Sequence, residues 1–121
     1  MTEKINITVL GAAGKMGCEL IRQISNSSKY NLTAAIEGKN SKFIGKDAYN
    51  FAGSSMKGIN ISDDLINAVT KSDALIDFSS VESSLYASEL CAQARIVHVI
   101  GTTGFNNKED DIIKAAARHA T

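Results

Sequence analysis

Gly11-Ala12-Ala13-Gly14-Lys15-Met16-Gly17 follows the apolar run Ile5-Asn6-Ile7-Thr8-Val9-Leu10 and precedes Cys18-Glu19-Leu20-Ile21-Arg22-Gln23-Ile24. Ile5, Ile7 and Val9 alternate with polar residues, which predicts a strand ending at Leu10. Leu20, Ile21 and Ile24 recur at helical spacing, so a helix is expected from Lys15 to about Asn26. Strand, glycine turn and helix give the spacing G-x-x-G-x-x-G a physical meaning. A tight turn needs a residue without Cβ, a pyrophosphate must approach bare backbone, and a helix N-terminus offers unpaired N–H groups and a positive dipole end. Glu37 closes the next apolar run, Leu32-Thr33-Ala34-Ala35-Ile36, and stands 20 residues beyond Gly17. An acidic side chain at that distance reaches a ribose hydroxyl.

Composition sets the frame around this motif. A chain of 121 residues is about one domain. Its 44% hydrophobic and 21% charged content are those of an ordinary globular protein. Thirteen basic and thirteen acidic residues cancel, so net charge gives no case for nucleic-acid or anionic-membrane binding. No apolar run nears the ~20 residues of a membrane span, and Met1-Thr2-Glu3-Lys4 leads into a strand rather than a signal peptide. Cys18 and Cys91 form no metal or redox motif and read as small buried fillers in a reducing, cytoplasmic compartment. Proline is absent, so glycines and polar clusters make every turn.

Beyond the first helix, which closes in Asn26-Ser27-Ser28-Lys29, a mostly apolar strand is expected from Tyr30 to Ile36, covered on both faces. Gly38 to Gly58 has little periodicity and reads as a long connection with one helical turn around Ala48–Ala52. Lys29, Lys39, Lys42, Lys46 and Lys57 face only Glu37 and Asp47 across residues 29–57, a local positive excess. Ile59–Ile61 reads as a short strand, with Ser62-Asp63-Asp64 capping a helix to about Thr70. Ala74–Phe78 reads as a buried strand. Ser79 and Glu82 have capping-box spacing before a helix carrying Leu85, Tyr86, Leu90 and Cys91. Ile96–Ile100 is a further strand, and a last helix is expected from Asn106 or Asn107 to His119, with Ile112, Ile113 and Ala116 inward. Alternating strands and helices joined by connections too long for hairpins predict an α/β fold, a Rossmann-type doubly wound parallel sheet with ligand at the carboxyl ends of its strands. Fewer strands are legible than the six of a complete fold. Residues 1–121 are therefore expected to be the dinucleotide-binding domain of a longer protein.

Gly101-Thr102-Thr103-Gly104 follows a buried strand at the edge where the glycine turn lies. Its hydroxyls and bare backbone suit a ribose or a carboxamide, or else its threonines simply cap the next segment. Phe78 and Ser79 lie on the same rim. Ser79 reads first as a helix cap, a role compatible with ligand contact. Asp77 reads as structural, orienting neighbouring loop N–H groups. His98, flanked by Val97 and Val99, reads as a satisfied core histidine and His119 as a solvated one; no Asp or Cys stands at a useful spacing beside either. No metal-ligand cluster, nucleophile elbow or P-loop is present in the sequence, and no residue reads as a proton donor. Lys15 in the turn and Lys39 two residues past Glu37 are both expected to flank a 2′-phosphate, so that either NADPH or NADH is accepted.

These motifs resemble the nucleotide-binding half of the 4-hydroxy-tetrahydrodipicolinate reductase (dihydrodipicolinate reductase) family. The resemblance rests on Gly11-Ala12-Ala13-Gly14-Lys15-Met16-Gly17, the Gly45-Lys46-Asp47 to Gly53 segment, Ile76-Asp77-Phe78-Ser79, and Val99-Ile100-Gly101-Thr102-Thr103-Gly104-Phe105. The last is the most specific, because a generic dinucleotide fold does not require it. Two departures stand out: the family usually has proline near Val81, and its Asn-Phe-Ser motif and His-His…Lys signature are absent here. The resemblance implies an NAD(P)H-dependent oxidoreductase of the diaminopimelate route to lysine. It also implies hydride transfer to a cyclic dicarboxylate in a full-length homotetramer, with the present chain alone inactive and a monomer or weak oligomer. By the same resemblance Gly11, Gly14, Lys15, Met16 and Gly17, with Ala13 between them, hold the pyrophosphate. Glu37 holds the adenosine ribose, and Gly101, Thr102 and Thr103 serve the nicotinamide side. A stand-alone NAD(P)-sensing module is the alternative.

Overall fold

The computed structural model describes residues 4–101. Its elements are β1 (Ile5–Leu10), α1 (Lys15–Ser25), β2 (Tyr30–Ile36), α2 (Ala48–Phe51), β3 (Ile61–Ser62), α3 (Leu65–Thr70), β4 (Ala74–Asp77), α4 (Val81–Ala94) and β5 (Val97–Ile100). The strands form one sheet in the order β3-β2-β1-β4-β5, and every pairing is parallel. Strand order therefore reverses between β1 and β4, and the doubly wound arrangement expected from the sequence is present. The expected helix from Asn106 or Asn107 to His119 lies outside the described residues.

Alternation along β1 explains the two-layer core. Ile7 and Val9 join one cluster with Ile21 and Ile24 of α1, Leu32 and Ala35 of β2, and Ala48, Tyr49 and Ala52 at α2. Leu10 joins the other with Leu65, Ala68 and Val69 of α3, Leu75 of β4 and Ala87 and Cys91 of α4. Each layer buries one face of the helices packed on it. Among the described residues, a groove of about 730 Å³ on the α1 side is lined by Ile5, Leu20, Ile24, Ile76, Val97 and Val99. Thr8, wholly buried in β1, spends its hydroxyl on Ser72 Oγ at 2.6 Å, and Ser72 Oγ donates in turn to the Ala68 carbonyl at 2.8 Å.

The long connection is closed by one carboxylate. Asp47 caps α2 by accepting the Asn50 N–H at 3.0 Å through Oδ1, and its Oδ2 accepts the Gly58 N–H at 2.8 Å. Those bonds, Gly58 first, hold the Asp47 carboxyl below its ordinary value. Asp47 also bridges Asn60 in antiparallel fashion. That bridge takes Asn60 out of the parallel ladder, so β3 is Ile61–Ser62 rather than the expected Ile59–Ile61. Arg22 of α1 donates to the Ala52 carbonyl at 2.9 Å and ties the two helices together.

The helix that follows the glycine turn can sit where it does only because Gly17 has no side chain. A Cβ there would stand 2.2 Å from the Gly11 carbonyl oxygen and 2.9 Å from Ala12 Cα, both backbone atoms that cannot swing aside. We expect Gly17→Ala to lower stability by about 2–3 kcal/mol, roughly 10 °C in Tm for a domain of this size. Gly38→Ala, with nothing within 4 Å of the new methyl, should stay within about 0.5 kcal/mol. Thermal unfolding of the two variants side by side checks this, and equal losses would refute it.

Candidate functional site

The glycine turn leaves β1 at the carboxyl edge of the sheet. Gly11 takes φ +84°, and the N–H groups of Gly11 and Ala12 both donate to the Ile36 carbonyl, at 2.9 and 3.2 Å. Gly14 caps α1 in extended conformation with no side-chain hydrogen bond. The first N–H groups of α1 therefore point outward without a capping side chain, at the positive end of an 11-residue helix.

Glu37 follows the last residue of β2, as the spacing requires. Its Oε2 accepts the Ala13 N–H at 2.8 Å, a contact the sequence does not announce. This bond pins the carboxylate against the turn and stiffens the turn itself. Three cavities run from there along the strand ends and share walls. The one at the β2 end, about 200 Å³, is bounded by Glu37, Gly38, Lys39, Asp63, Leu65 and Tyr86. The middle one, about 350 Å³, lies among Gly11, Gly14, Glu37, Gly38, Phe78 and Ser79. The third, about 360 Å³, lies among Gly14, Lys15, Met16, Gly17, Phe78, Ser79 and Gly101. Together they form a cleft over the point where strand order reverses, where doubly wound sheets take their ligands.

Of the residues singled out in the sequence, Gly11, Gly14, Lys15, Met16, Gly17, Glu37, Lys39, Phe78, Ser79 and Gly101 all line this cleft, and Ala13 holds Glu37 beside it. Thr102 and Thr103 lie outside the described residues. Lys15 and Lys39 do not share a cavity: Lys39 belongs to the β2 end and Lys15 to the β4–β5 end. The two lysines thus line different cavities of the one cleft. Asp63 and Tyr86, which line the same cavity as Lys39, carried no signal in the sequence beyond capping and helical spacing.

The rim at β4 also departs from expectation. Ser80, not Ser79, caps α4, its Oγ accepting the Ser83 N–H at 3.2 Å. Ser79 is captured by Asp77, whose Oδ1 accepts the Ser79 N–H at 2.9 Å and the Ser79 hydroxyl. The capping duty thus moves one residue on, and the 79–82 spacing forms no capping box. Asp77, wholly buried, orients this loop as read from the sequence. Its other oxygen, Oδ2, lies 3.1 Å from His98 Nε2. No linear spacing links residues 77 and 98; the parallel register pairing Leu75 with His98 and Asp77 with Ile100 puts both side chains on one face. His98 is the satisfied histidine expected, but its partner is an aspartate that sequence reading missed. Burial works against the charge of Asp77, yet hydrogen bonds from His98, Ser79 and Ser84 outweigh it and hold the carboxyl below its ordinary 3.8. Cys91 beneath is pushed up to about 12 by burial and then by the Asp77 charge, which keeps it an unreactive thiol. Among the described residues no group of His, Cys, Asp and Glu could hold a metal ion.

A parallel sheet with a glycine turn at its switch point and an acid at the end of β2 is a Rossmann-type nucleotide-binding domain. Residues 5–121 match the family model described as "Dihydrodipicolinate reductase, N-terminus", and the chain belongs to that family. It is 47% identical to the 4-hydroxy-tetrahydrodipicolinate reductase of Parvibaculum lavamentivorans, over 100% of this chain and 45% of that protein. The Brucella abortus enzyme of the same name is 45% identical, over 97% of this chain and 44% of that protein. The chain thus spans less than half the length of the curated relatives it matches. Among solved structures, dipicolinate-bound dihydrodipicolinate reductase from Paenisporosarcina sp. TG-14 superposes with TM-score 0.73 at 22% identity, covering 95% of this chain and 43% of the other. The 1-deoxy-D-xylulose 5-phosphate reductoisomerase of Zymomonas mobilis, solved with NADPH, gives 0.66 at 15% identity, covering 97% and 37%. At those identities the structures establish the fold, and the family match bears out the resemblance read from the motifs.

The Asp77 network carries a pH signature. Its folded-state pKa lies below the unfolded one, so the stability it contributes is complete above the ordinary 3.8 and is lost as pH falls through the lower folded value. In denaturant titrations the stability gap between the protein and Asp77→Asn should hold down to about pH 4 on the acid side and shrink below it. A gap that persists unchanged to pH 2.5 would contradict this.

Proposed function

We propose that this chain is the NAD(P)H-binding domain of a dihydrodipicolinate reductase. In its full length that cytoplasmic enzyme, a homotetramer, reduces a cyclic dicarboxylate on the route to diaminopimelate and lysine. The observation that carries the reading is the cleft over the switch point, bounded at one end by Glu37 tied to the glycine turn and at the other by Phe78 and Gly101. Family membership, with reductases as the relatives, favours this over a stand-alone NAD(P)-sensing module.

The residues present fit a dinucleotide. Gly14 is exposed and lines two of the cavities, and a Cβ there would meet only the Gly11 carbonyl oxygen, at 3.3 Å, so its outer face is open to an anion. The uncapped N-terminus of α1 supplies N–H donors and a positive dipole end for the pyrophosphate, with Gly11, Ala13, Gly14, Met16 and Gly17 forming the cradle. With Oε2 on Ala13, Glu37 keeps its other oxygen for the adenosine ribose. Lys39 faces the same cavity and offsets Glu37 and Asp63 for a 2′-phosphate. Lys15, Phe78, Ser79 and Gly101 form the nicotinamide end, a role the family resemblance also gives to Thr102 and Thr103. When bound, the reduced nicotinamide supplies a hydride; this chain's residues bind and orient it.

No residue of this stretch is assigned proton transfer, which falls to the remainder of the full-length enzyme. General acid catalysis alone is worth about 10²–10⁴-fold, so the 121-residue chain binds cofactor, turns over no substrate and behaves as a monomer or weak oligomer.

Calorimetry with NADPH and NADH tests the assignment. Gly14→Val should weaken both at least about tenfold by blocking the pyrophosphate, while unfolding within a few degrees of the parent. Lys39→Ala should weaken NADPH about fivefold, the worth of one solvated charge pair at contact, and leave NADH unchanged. Lys15→Ala, at the other end, should affect the two cofactors alike. Absence of binding by the parent at millimolar cofactor, or full binding by Gly14→Val, would overturn the reading.

A further inference from the structure

A chain of hydrogen bonds runs from beneath α4 to the rim of the cleft. Ser88 of α4 lies with Oγ 3.2 Å from His98 Nδ1, His98 Nε2 lies 3.1 Å from Asp77 Oδ2, and Asp77 Oδ1 holds both the N–H and the hydroxyl of Ser79. The side chains of His98 and Asp77 are 7% and 0% exposed, so water does not substitute for these partners. A buried carboxylate needs its donors. Facing Asp77, Nε2 carries a proton, and Nδ1 then accepts from Ser88 in the neutral ring or donates to it in the charged one. Ser88 serves either state, so the ring keeps its orientation in both.

What this chain holds is the wall of the third cavity. The Phe78 N–H donates to the Leu10 carbonyl at 3.0 Å, and the Phe78 carbonyl oxygen presses on Gly11, where a Cβ would stand 2.6 Å away. The Phe78–Ser79 peptide therefore cannot move toward β1; its free direction is outward, into the cleft. The Phe78 ring lies against Gly101, where a Cβ would stand 2.1 Å from the ring, and the Gly101 N–H donates to the Asp77 carbonyl at 2.8 Å. Asp77 thus sets both sides of the β4–β5 end of the cleft, and His98 holds Asp77.

We propose that His98 is a positioning residue for the nicotinamide end of the cleft, acting through the buried His98–Asp77–Ser79 chain that fixes Phe78 and Ser79 against the glycine turn. The proposal rests on the reading of the cleft as a dinucleotide site. It predicts a graded defect, largest at the nicotinamide end: Phe78 and Ser79 also border the middle cavity with Glu37, whereas the cavity at Lys39 has none of His98, Asp77 or Ser79 on its wall.

The test compares NADPH with 2′-phospho-ADP-ribose, which lacks only the nicotinamide ring, by calorimetry on the chain and its variants. His98→Leu should weaken NADPH about tenfold, the order of one net hydrogen bond lost from positioning the ligand, and weaken 2′-phospho-ADP-ribose less, by no more than about threefold. His98→Gln, whose side-chain amide N–H can reach the same carboxylate, should recover NADPH affinity to within about threefold of the parent. Because His98→Leu risks misfolding, the His98 ring nitrogens of the unsubstituted chain are followed by NMR in parallel. Saturating NADPH should shift them, whereas 2′-phospho-ADP-ribose should not. Equal weakening of both ligands, no weakening of either, or an identical ring response to both would overturn the role of His98 and leave the dinucleotide reading standing. Binding of neither ligand by the unsubstituted chain would overturn both.

Discussion

Three stretches of backbone meet at the end of β1 in space that side chains would otherwise fill. The Gly11 carbonyl oxygen lies where a Gly17 Cβ would be, and the Phe78 carbonyl lies where a Gly11 Cβ would be. This mutual approach lets α1 start immediately beyond the sheet edge with its N-terminus over the cleft, and it lets β4 run close beside β1. Gly11 also needs its positive φ, so the position is constrained twice. Everything downstream inherits this geometry: Glu37 reaches Ala13, Phe78 reaches Gly101, and the two apolar layers close on either side.

Local pattern carried the reading of the sequence a long way. The alternation of β1, the apolar run of β2 with its stated ends Tyr30 and Ile36, the helical turn after Asp47 and the acid at 37 are all properties of contiguous residues, and each stands where expected. What escaped depends on partners distant in sequence. β3 moved because Asn60 pairs with Asp47 across the connection. The cap of α4 moved because Asp77 competes for Ser79. His98 found its aspartate through strand register. Single-residue competition between a local motif and a tertiary acceptor has no signature in spacing alone.

The charge distribution along the cleft follows the same division. The chain is neutral as a whole, yet the β2 end sets Glu37 and Asp63 against Lys39, while the third cavity has Lys15 on its wall and Asp77 buried behind it. Asp77 can remain charged there because its field is spent on His98, Ser79 and Ser84 rather than on the cavity. At the other end Glu37 is part-buried on the Ala13 N–H and Asp63 is exposed. Shape and backbone donors thus govern the β4–β5 half, and charge balance governs the β2 half.

The bond from the Ala13 N–H to Glu37 gives the turn a property visible without any ligand. An amide donated to a carboxylate exchanges its hydrogen slowly, whereas the first amides of an uncapped helix exchange almost as fast as those of a loop. The deuterium pattern of the turn is therefore uneven from the outset, with Ala13 protected and Lys15 and Met16 open. An anion settling on the helix end acts first on Lys15 and Met16, because Ala13 already has its acceptor in Glu37.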